Sequence, residues 1–173
     1  TKGTYLYYFD VDGFKDINDT HGHQIGDQLL LQLGEKLKDI IYYFEQQGSK
    51  VCSARLGSDQ FVFAISDIDD AKANELAQQL VDKASEPMSV DNRLIKIGIS
   101  AGVVKFGSDI KSFDALLDRA DTAMYVAKKE GKNCYRIFDD RIKELVYKRK
   151  KIAADLKQAL DDNQLELYYM PIV

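Results

Sequence analysis

Long apolar runs, clustered cysteines, internal repeats and a surplus of positive charge are all missing from this sequence. No stretch of its 173 residues approaches the roughly 18 consecutive apolar residues of a membrane-spanning helix, and no secretory signal pattern opens it. With 24 basic and 28 acidic residues the net charge is −4. The chain therefore has no bulk attraction for nucleic acid or anionic lipid, and any phosphate ligand must be held by local groups. These absences argue against a nucleic-acid or membrane partner for this stretch of chain. Cys52 and Cys134 stand alone in apolar runs without metal-ligand spacing. They read as buried free thiols in a reduced cytoplasm rather than as a disulfide.

What remains is a 45% hydrophobic composition, which suits one globular domain with a small appendage. The chain starts at Thr1 and ends inside an apolar run, Tyr168 to Val173. It reads as a piece of a longer protein.

Periodicity divides the sequence into elements. TYLYYFDV (4–11) is an aromatic and β-branched run that predicts a buried strand. Asp12 is placed to cap a short helix from Phe14 to Asn18. Ile25, Leu29, Leu30, Leu33, Leu37, Ile40, Ile41 and Phe44 form the apolar face of a long helix closed by Gly48. Val51 to Leu56 and Phe61 to Ile65 predict two strands, with Gly57-Ser58 as a two-residue hairpin loop. Helices are expected over 69–84 and 112–129, one strand over 94–105 and a last one over 134–138. The order β-α-β-β-α-β-α-β predicts an α+β domain. Its fold class is a ferredoxin-like, mixed and mostly antiparallel sheet covered by helices. From Asp139 to about Asp162 a further helical pattern runs, interrupted by the basic KRKK (148–151), which reads as a solvated face. LELYYMPIV (165–173) has a strand pattern with no partner left in the sequence.

Asp10 ends the first strand and Asp59 follows the hairpin turn. A ferredoxin-like core makes these two elements neighbours, so two carboxylates meet above one sheet edge. Acidic residues at strand ends also serve as turn chemistry. Two hard oxygen ligands on rigid strands are also what Mg²⁺ needs when phosphate and water fill the other positions. Gly13-Phe14-Lys15 can aim backbone N–H groups at an anion at a helix start.

Three segments carry a resemblance. FDVDGFKDINDTHGHQIGDQLL (9–30), RLGSDQF (55–61) and RADTAMYVAKKEGKN (119–133) resemble, in that order, the opening motif, the RxGGDEF hairpin and the late lysine-bearing helix of the GGDEF family of diguanylate cyclases. LKQALDDNQLELYYMPIV is similar to the start of an EAL domain, the cyclic-di-GMP phosphodiesterase module, with Met170 where that family usually has Gln. The resemblance implies a GGDEF-type domain over 1–138, a connector helix over 139–162, and a truncated EAL domain over 163–173. It implies a cytoplasmic, nucleotide-handling domain in which two GTP condense to cyclic di-GMP across a homodimer. Asp10 and Asp59 would ligate Mg²⁺ (or Mn²⁺) together with the backbone oxygen of Val11, and Asp59 would be the catalytic acidic residue of the turn. Gly57 would lie against the substrate. Phe14 and Lys15 would offer main-chain donors to phosphates, Asn18 and Asp27 would read guanine, and Lys128 and Lys132 would bind terminal phosphates. On residue chemistry alone Asn18 and Asp27 serve equally as caps and turn residues, Lys128 and Lys132 as solvated helix-end lysines. His21 and His23 read as packing or capping groups, since imidazole suits Mg²⁺ poorly.

The hairpin departs from the family pattern. Its second Gly is Ser58, and its second acidic position is Gln60. A side chain at 58 can block close approach of a ligand. Gln60 removes a charge that can orient a metal or accept a proton, at a loss of about 10² to 10⁴ in rate. The positions of the family's RxxD product-inhibition motif are Gly48 and Val51, which predicts that no such site is present. Three readings follow. The first is a catalytically impaired, Mg²⁺-GTP-binding module that regulates a downstream EAL domain. The second is a slow cyclase, and the third a scaffold that binds no nucleotide.

Overall fold

The computed structural model describes residues 2–162 together with residues 164, 166, 168 and 169. The chain divides into two compact units, Thr1–Phe138 and Asp139–Val173.

The first unit is built on a five-stranded sheet. Its strands are β1 (Gly3–Val11), β2 (Val51–Arg55), β3 (Gln60–Ile68), β6 (Ile99–Lys105) and β7 (Tyr135–Ile137), and they lie in the order β2-β3-β1-β6-β7. β1 is antiparallel to both β3 and β6, β2 is antiparallel to β3, and β7 is parallel to β6. The helices are α1 (Phe14–His21), α2 (His23–Gln46), α3 (Asp70–Ser85) and α4 (Phe113–Lys129). The ferredoxin-like expectation holds, with α1, β7 and a separate hairpin, β4 (Met88–Val90) with β5 (Arg93–Ile95), as additions.

β1 is apolar at almost every position because it is central and covered on both faces. Its odd residues Tyr5, Tyr7, Phe9 and Val11 pack with α2 and α3 through Leu29, Leu33, Leu37, Leu76 and Leu80. Its even residues Leu6 and Tyr8 pack with Leu116, Ala120 and Met124 of α4. Each such large side chain, fully buried, contributes about 1.5–3 kcal/mol. Asp10 continues the even series, so it lies on the α4 side of the sheet. Gly102 pairs with Tyr8 across β1 and β6. A Cβ built on it would sit 1.9 Å from the Ala120 carbonyl oxygen and 2.6 Å from the Met124 nitrogen. The missing side chain is what lets the α4 backbone rest on the sheet.

Four expectations are corrected. Asp12 does not cap α1; its N-cap is Gly13, in the left-handed region at φ 70°, with no side-chain cap. The strand expected over 94–105 is two strands. Asp91 and Asn92, at φ 48° and 60°, make the tight turn that folds β5 back on β4, and β6 begins only at Ile99. The connection between β2 and β3 is four residues, Leu56 to Asp59, rather than two, and across it Leu56 N–H donates to the Gln60 carbonyl at 3.0 Å. Finally, both cysteines are free, but Cys52 is exposed and Cys134 only half-buried. β2 is an edge strand, and four of its five residues face solvent.

The second unit is α5 (Asp140–Asp161), capped by Asp139, whose carboxylate accepts from the Ile142 amide at 2.8 Å. The apolar positions Leu145, Ile152, Leu156 and Leu160 are all exposed. The strand pattern expected over 165–173 falls mostly outside the described residues. Of those described there, Glu166, Tyr168 and Tyr169 are not in a strand.

Candidate functional site

Where β1 ends, the sheet brings three sequence segments to one point. Asp10 is paired across the ladder with Gln60, and the Val11 amide donates to the Asp59 carbonyl at 3.2 Å. From the other side, the last turn of α4 delivers Lys128, whose Nζ lies 2.6 Å from Asp10 Oδ1. The Asp10 side chain is 10% exposed and that of Lys128 33%. Burial raises the Asp10 carboxyl above the usual carboxylate range. The Lys128 ammonium and a hydrogen bond from the Gln60 carboxamide oppose that rise, and the charge of nearby Asp59 adds to it. Asp10, Val11, Asp59, Gln60 and Lys128 thus form one cluster.

The turn that carries Asp59 is pinned by a residue that the reading of individual positions passed over. Arg55 Nε donates to the Gly57 carbonyl at 3.0 Å, and its guanidinium also donates to the Ser58 carbonyl. The same guanidinium lies 5.8 Å from the Phe61 ring centroid. The signal was present, because Arg55 is the first residue of the RLGSDQF motif. Ser58 Oγ donates to Asp59 Oδ1 at 2.9 Å. Ser58 therefore engages an oxygen of the Asp59 carboxylate itself.

A second cluster lies at the α1–α2 junction. Phe14 is buried, and its ring and the Asn18 carboxamide lie against Gly26 of α2. A Cβ on Gly26 would come within 1.9 Å of Asn18 Oδ1 and 3.1 Å of Phe14 Cζ. Asn18 Oδ1 is buried and has no hydrogen-bond partner among the described residues. A buried, unsatisfied acceptor costs about 1–3 kcal/mol. Asp27 follows Gly26 directly and is exposed on the same helix turn, as is Lys15 on the first turn of α1. The amides of Phe14 and Lys15 belong to the uncapped N-terminal turn of α1, where helix donors lack intrahelical acceptors.

Asp12 is a second residue whose role the sequence did not disclose. Its Oδ1 accepts from Ser100 Oγ at 2.6 Å and its Oδ2 from the Asn133 amide at 2.8 Å. It ties the end of β1 to β6 and to the turn after α4. Lys132 and Asn133 hold left-handed φ values of 64° and 46° in that turn. The Lys132 side chain is exposed and takes no part in the Asp10 pair. His21 and His23 lie at the α1–α2 junction.

Among the described residues no three His, Cys, Asp or Glu side chains gather into a self-sufficient metal cage. The donor set of Asp10 and Asp59 instead fits an ion that brings phosphate and water as its remaining ligands, as Mg²⁺ does.

The profile described as "Diguanylate cyclase, GGDEF domain" matches residues 2–134. The chain belongs to the GGDEF family. It is 34% identical over 168 residues to the bifunctional diguanylate cyclase/cyclic di-GMP phosphodiesterase MucR of Pseudomonas aeruginosa, covering 97% of this chain and 24% of that protein. It is 33% identical to the cyclic di-GMP phosphodiesterase NbdA of the same organism, over 99% of this chain and 21% of that one. The GGDEF chain thus spans about a quarter or less of the length of these curated relatives. Among solved structures, an EAL/GGDEF domain protein from M. capsulatus superposes with a TM-score of 0.69 at 35% identity, over 79% of this chain and 85% of that one. The active GGEEF domain of a diguanylate cyclase from Vibrio cholerae gives 0.70 at 25% identity, over 80% and 84%. The α+β sheet and its helical cover are those of GGDEF cyclase-like domains. Among the described residues no helix is long and apolar enough to cross a membrane.

Proposed function

We propose that this GGDEF domain is a catalytically impaired, Mg²⁺-GTP-binding module of a cytoplasmic cyclic-di-GMP signalling protein. Residues 1–138 form the sensor, 139–162 a connector helix, and 163–173 open an EAL domain that the sensor regulates. The observation that carries the reading is the Asn18–Gly26 cradle. A half-exposed side chain whose carboxamide oxygen is buried with no partner among the described residues, held where only glycine leaves room, is poor core packing. It suits a site whose partner is a base edge. Asp27 beside it presents a carboxylate that accepts from two adjacent N–H donors of guanine. Phe14 and Lys15 offer amides to the phosphates, with Gly57 on the approach, and Lys128 and Lys132 offer charge. Asp10, Asp59 and the Val11 carbonyl oxygen would hold Mg²⁺ or Mn²⁺, which when bound polarises the phosphate.

The impairment rests on the turn. Gln60 puts a neutral carboxamide opposite Asp10 where the family has an acidic group, and Ser58 engages Asp59. The retention of Asp59 beside Asp10 favours a second reading, a slow cyclase acting as a homodimer.

Calorimetric titration with GTP and Mg²⁺ tests the first reading. Binding is expected below millimolar, and none at millimolar nucleotide rejects it in favour of a scaffold. Gly26→Ala sharpens the test. Its Cβ displaces the Asn18 carboxamide, so affinity for Mg²⁺-GTP falls by about tenfold or more. Stability does not fall in step, because Ala in a helix is favoured over Gly by about 1 kcal/mol. A variant that melts at or above the wild-type temperature yet binds GTP normally would show that the cradle serves packing alone.

A further inference from the structure

We propose that Lys128 is a tethered stand-in for the metal ion: its ammonium holds Asp10 until a nucleotide triphosphate draws it away, so the divalent ion enters only together with GTP. The inference rests on the Mg²⁺-GTP reading above and goes beyond it, since it assigns the order and the gate of binding.

The geometry sets up a competition for one oxygen. Lys128 Nζ is 2.6 Å from Asp10 Oδ1. A Mg²⁺ ion binds carboxylate oxygen at about 2.1 Å, so ammonium and ion cannot share that oxygen without close like-charge contact. Asp10 is nearly buried, and burial penalises its charge unless a cation answers it. Lys128 is one-third exposed, at the end of a flexible stem, and projects from the last turn of α4. A cation there is favoured by the helix dipole, and its head can swing outward without unpacking the helix. The other polar groups of the cluster are engaged as well. Gln60 lies opposite Asp10 in the ladder, and Ser58 Oγ donates to Asp59 Oδ1. A metal ion arriving alone would have to expel Lys128 and leave it unpaired beside a divalent charge. A triphosphate changes that balance, because it offers the displaced ammonium a new anion while the ion takes Asp10. The domain then responds to Mg²⁺ and GTP jointly and stays silent to Mg²⁺ alone.

The test measures the two affinities separately. Mn²⁺ is titrated into nucleotide-free protein and followed by the electron paramagnetic resonance of the unbound ion; Mg²⁺-GTP is titrated by calorimetry. In Lys128→Met the Mn²⁺ affinity without nucleotide should rise by about tenfold or more, while Mg²⁺-GTP affinity falls by a similar factor. Lys128→Arg keeps a cation on Asp10, so its Mn²⁺ affinity without nucleotide should stay low. A lysine that only contacts phosphate would lower GTP affinity and leave Mn²⁺ affinity unchanged, and that outcome overturns the proposal. Should Lys128→Met not fold, the wild type decides: the ¹⁵N resonance of the Lys128 ammonium must shift when Mg²⁺-GTP is added, and a fixed resonance in a nucleotide-saturated sample overturns the exchange. If the wild type binds no Mg²⁺-GTP, the nucleotide-binding function itself fails. The nucleotide-free Mn²⁺ comparison still decides the competition for Asp10.

Discussion

The double variant Ser58→Gly, Gln60→Glu is expected to make cyclic di-GMP from GTP at least about a hundredfold faster than the wild-type domain. Two contacts underlie this. Removing the Ser58 hydroxyl releases Asp59 Oδ1, and the Gln60→Glu change puts a third carboxylate where a neutral hydrogen-bond donor now faces Asp10. The single Gln60→Glu change is expected to fall well short, because Ser58 still engages Asp59. The double variant carries a second, independent signature. Three carboxylates around one point repel, so without divalent ion it should melt below the wild type, and Mg²⁺ with GTP should raise its melting temperature by more. Chromatography of nucleotides after incubation with GTP and Mg²⁺, with Asp59→Ala added to the double variant as control, reads the activity. Product that persists in the Asp59→Ala control would come from a contaminant. A double variant as inactive as the wild type would place the block outside this turn.

Gly102→Ala should be the most damaging single methyl in the fold. Its Cβ would meet helix backbone, the Ala120 carbonyl oxygen at 1.9 Å and the Met124 nitrogen at 2.6 Å, and backbone cannot step aside as a side-chain tip can. Overpacking a tight core costs about 1–3 kcal/mol and occasionally more. Here α4 as a whole must lift from β6, so about 3 kcal/mol or more is expected. Against a total stability of about 5–15 kcal/mol, that lowers the melting temperature by about 6–12 °C. Because α4 carries Lys128, the variant should also lose nucleotide affinity out of proportion to its lost stability. Circular dichroism melts and the same calorimetric titration check both, and a melting temperature within about 2 °C of the wild type would refute the close-approach argument.

The core and the helices were legible because periodicity reports burial directly. β1 reads as an unbroken apolar strand since both of its faces are covered, and most apolar positions of α2, α3 and α4 are buried where their spacing puts them, with Phe113 at the start of α4 exposed. The β4–β5 hairpin was missed because Leu94 to Lys105 alternates without a break; the Asp91-Asn92 pair was the available turn signal. Cys52 looked buried because its neighbours are apolar, whereas burial on an edge strand depends on what lies beside it. In the site, Asp10 and Asp59 were placed together from topology alone. Asp12 and Arg55 were not understood, because no spacing rule encodes their partners, the Ser100 hydroxyl and Asn133 amide for the one and the Gly57 carbonyl for the other. The Lys128–Asp10 pair joins residues 118 apart and needed the register of α4 on the sheet to appear.

The strand order has one more consequence, for the timescales of the site. β1 is the middle strand, hydrogen-bonded on both sides along its length, while β2 has a partner on one side only. Amides of a strand paired on both sides exchange with solvent through opening of the whole domain, and those of an edge strand through local fraying. Deuterium uptake should therefore be slowest along Tyr5 to Phe9 and fastest in β2. Asp10 is carried by the strand expected to open last, and Asp59 by a turn that Arg55 and the Val11 amide hold against the fraying expected of the neighbouring edge strand. A ligand that bridged the two carboxylates would be expected to slow exchange in the hairpin toward that of the core.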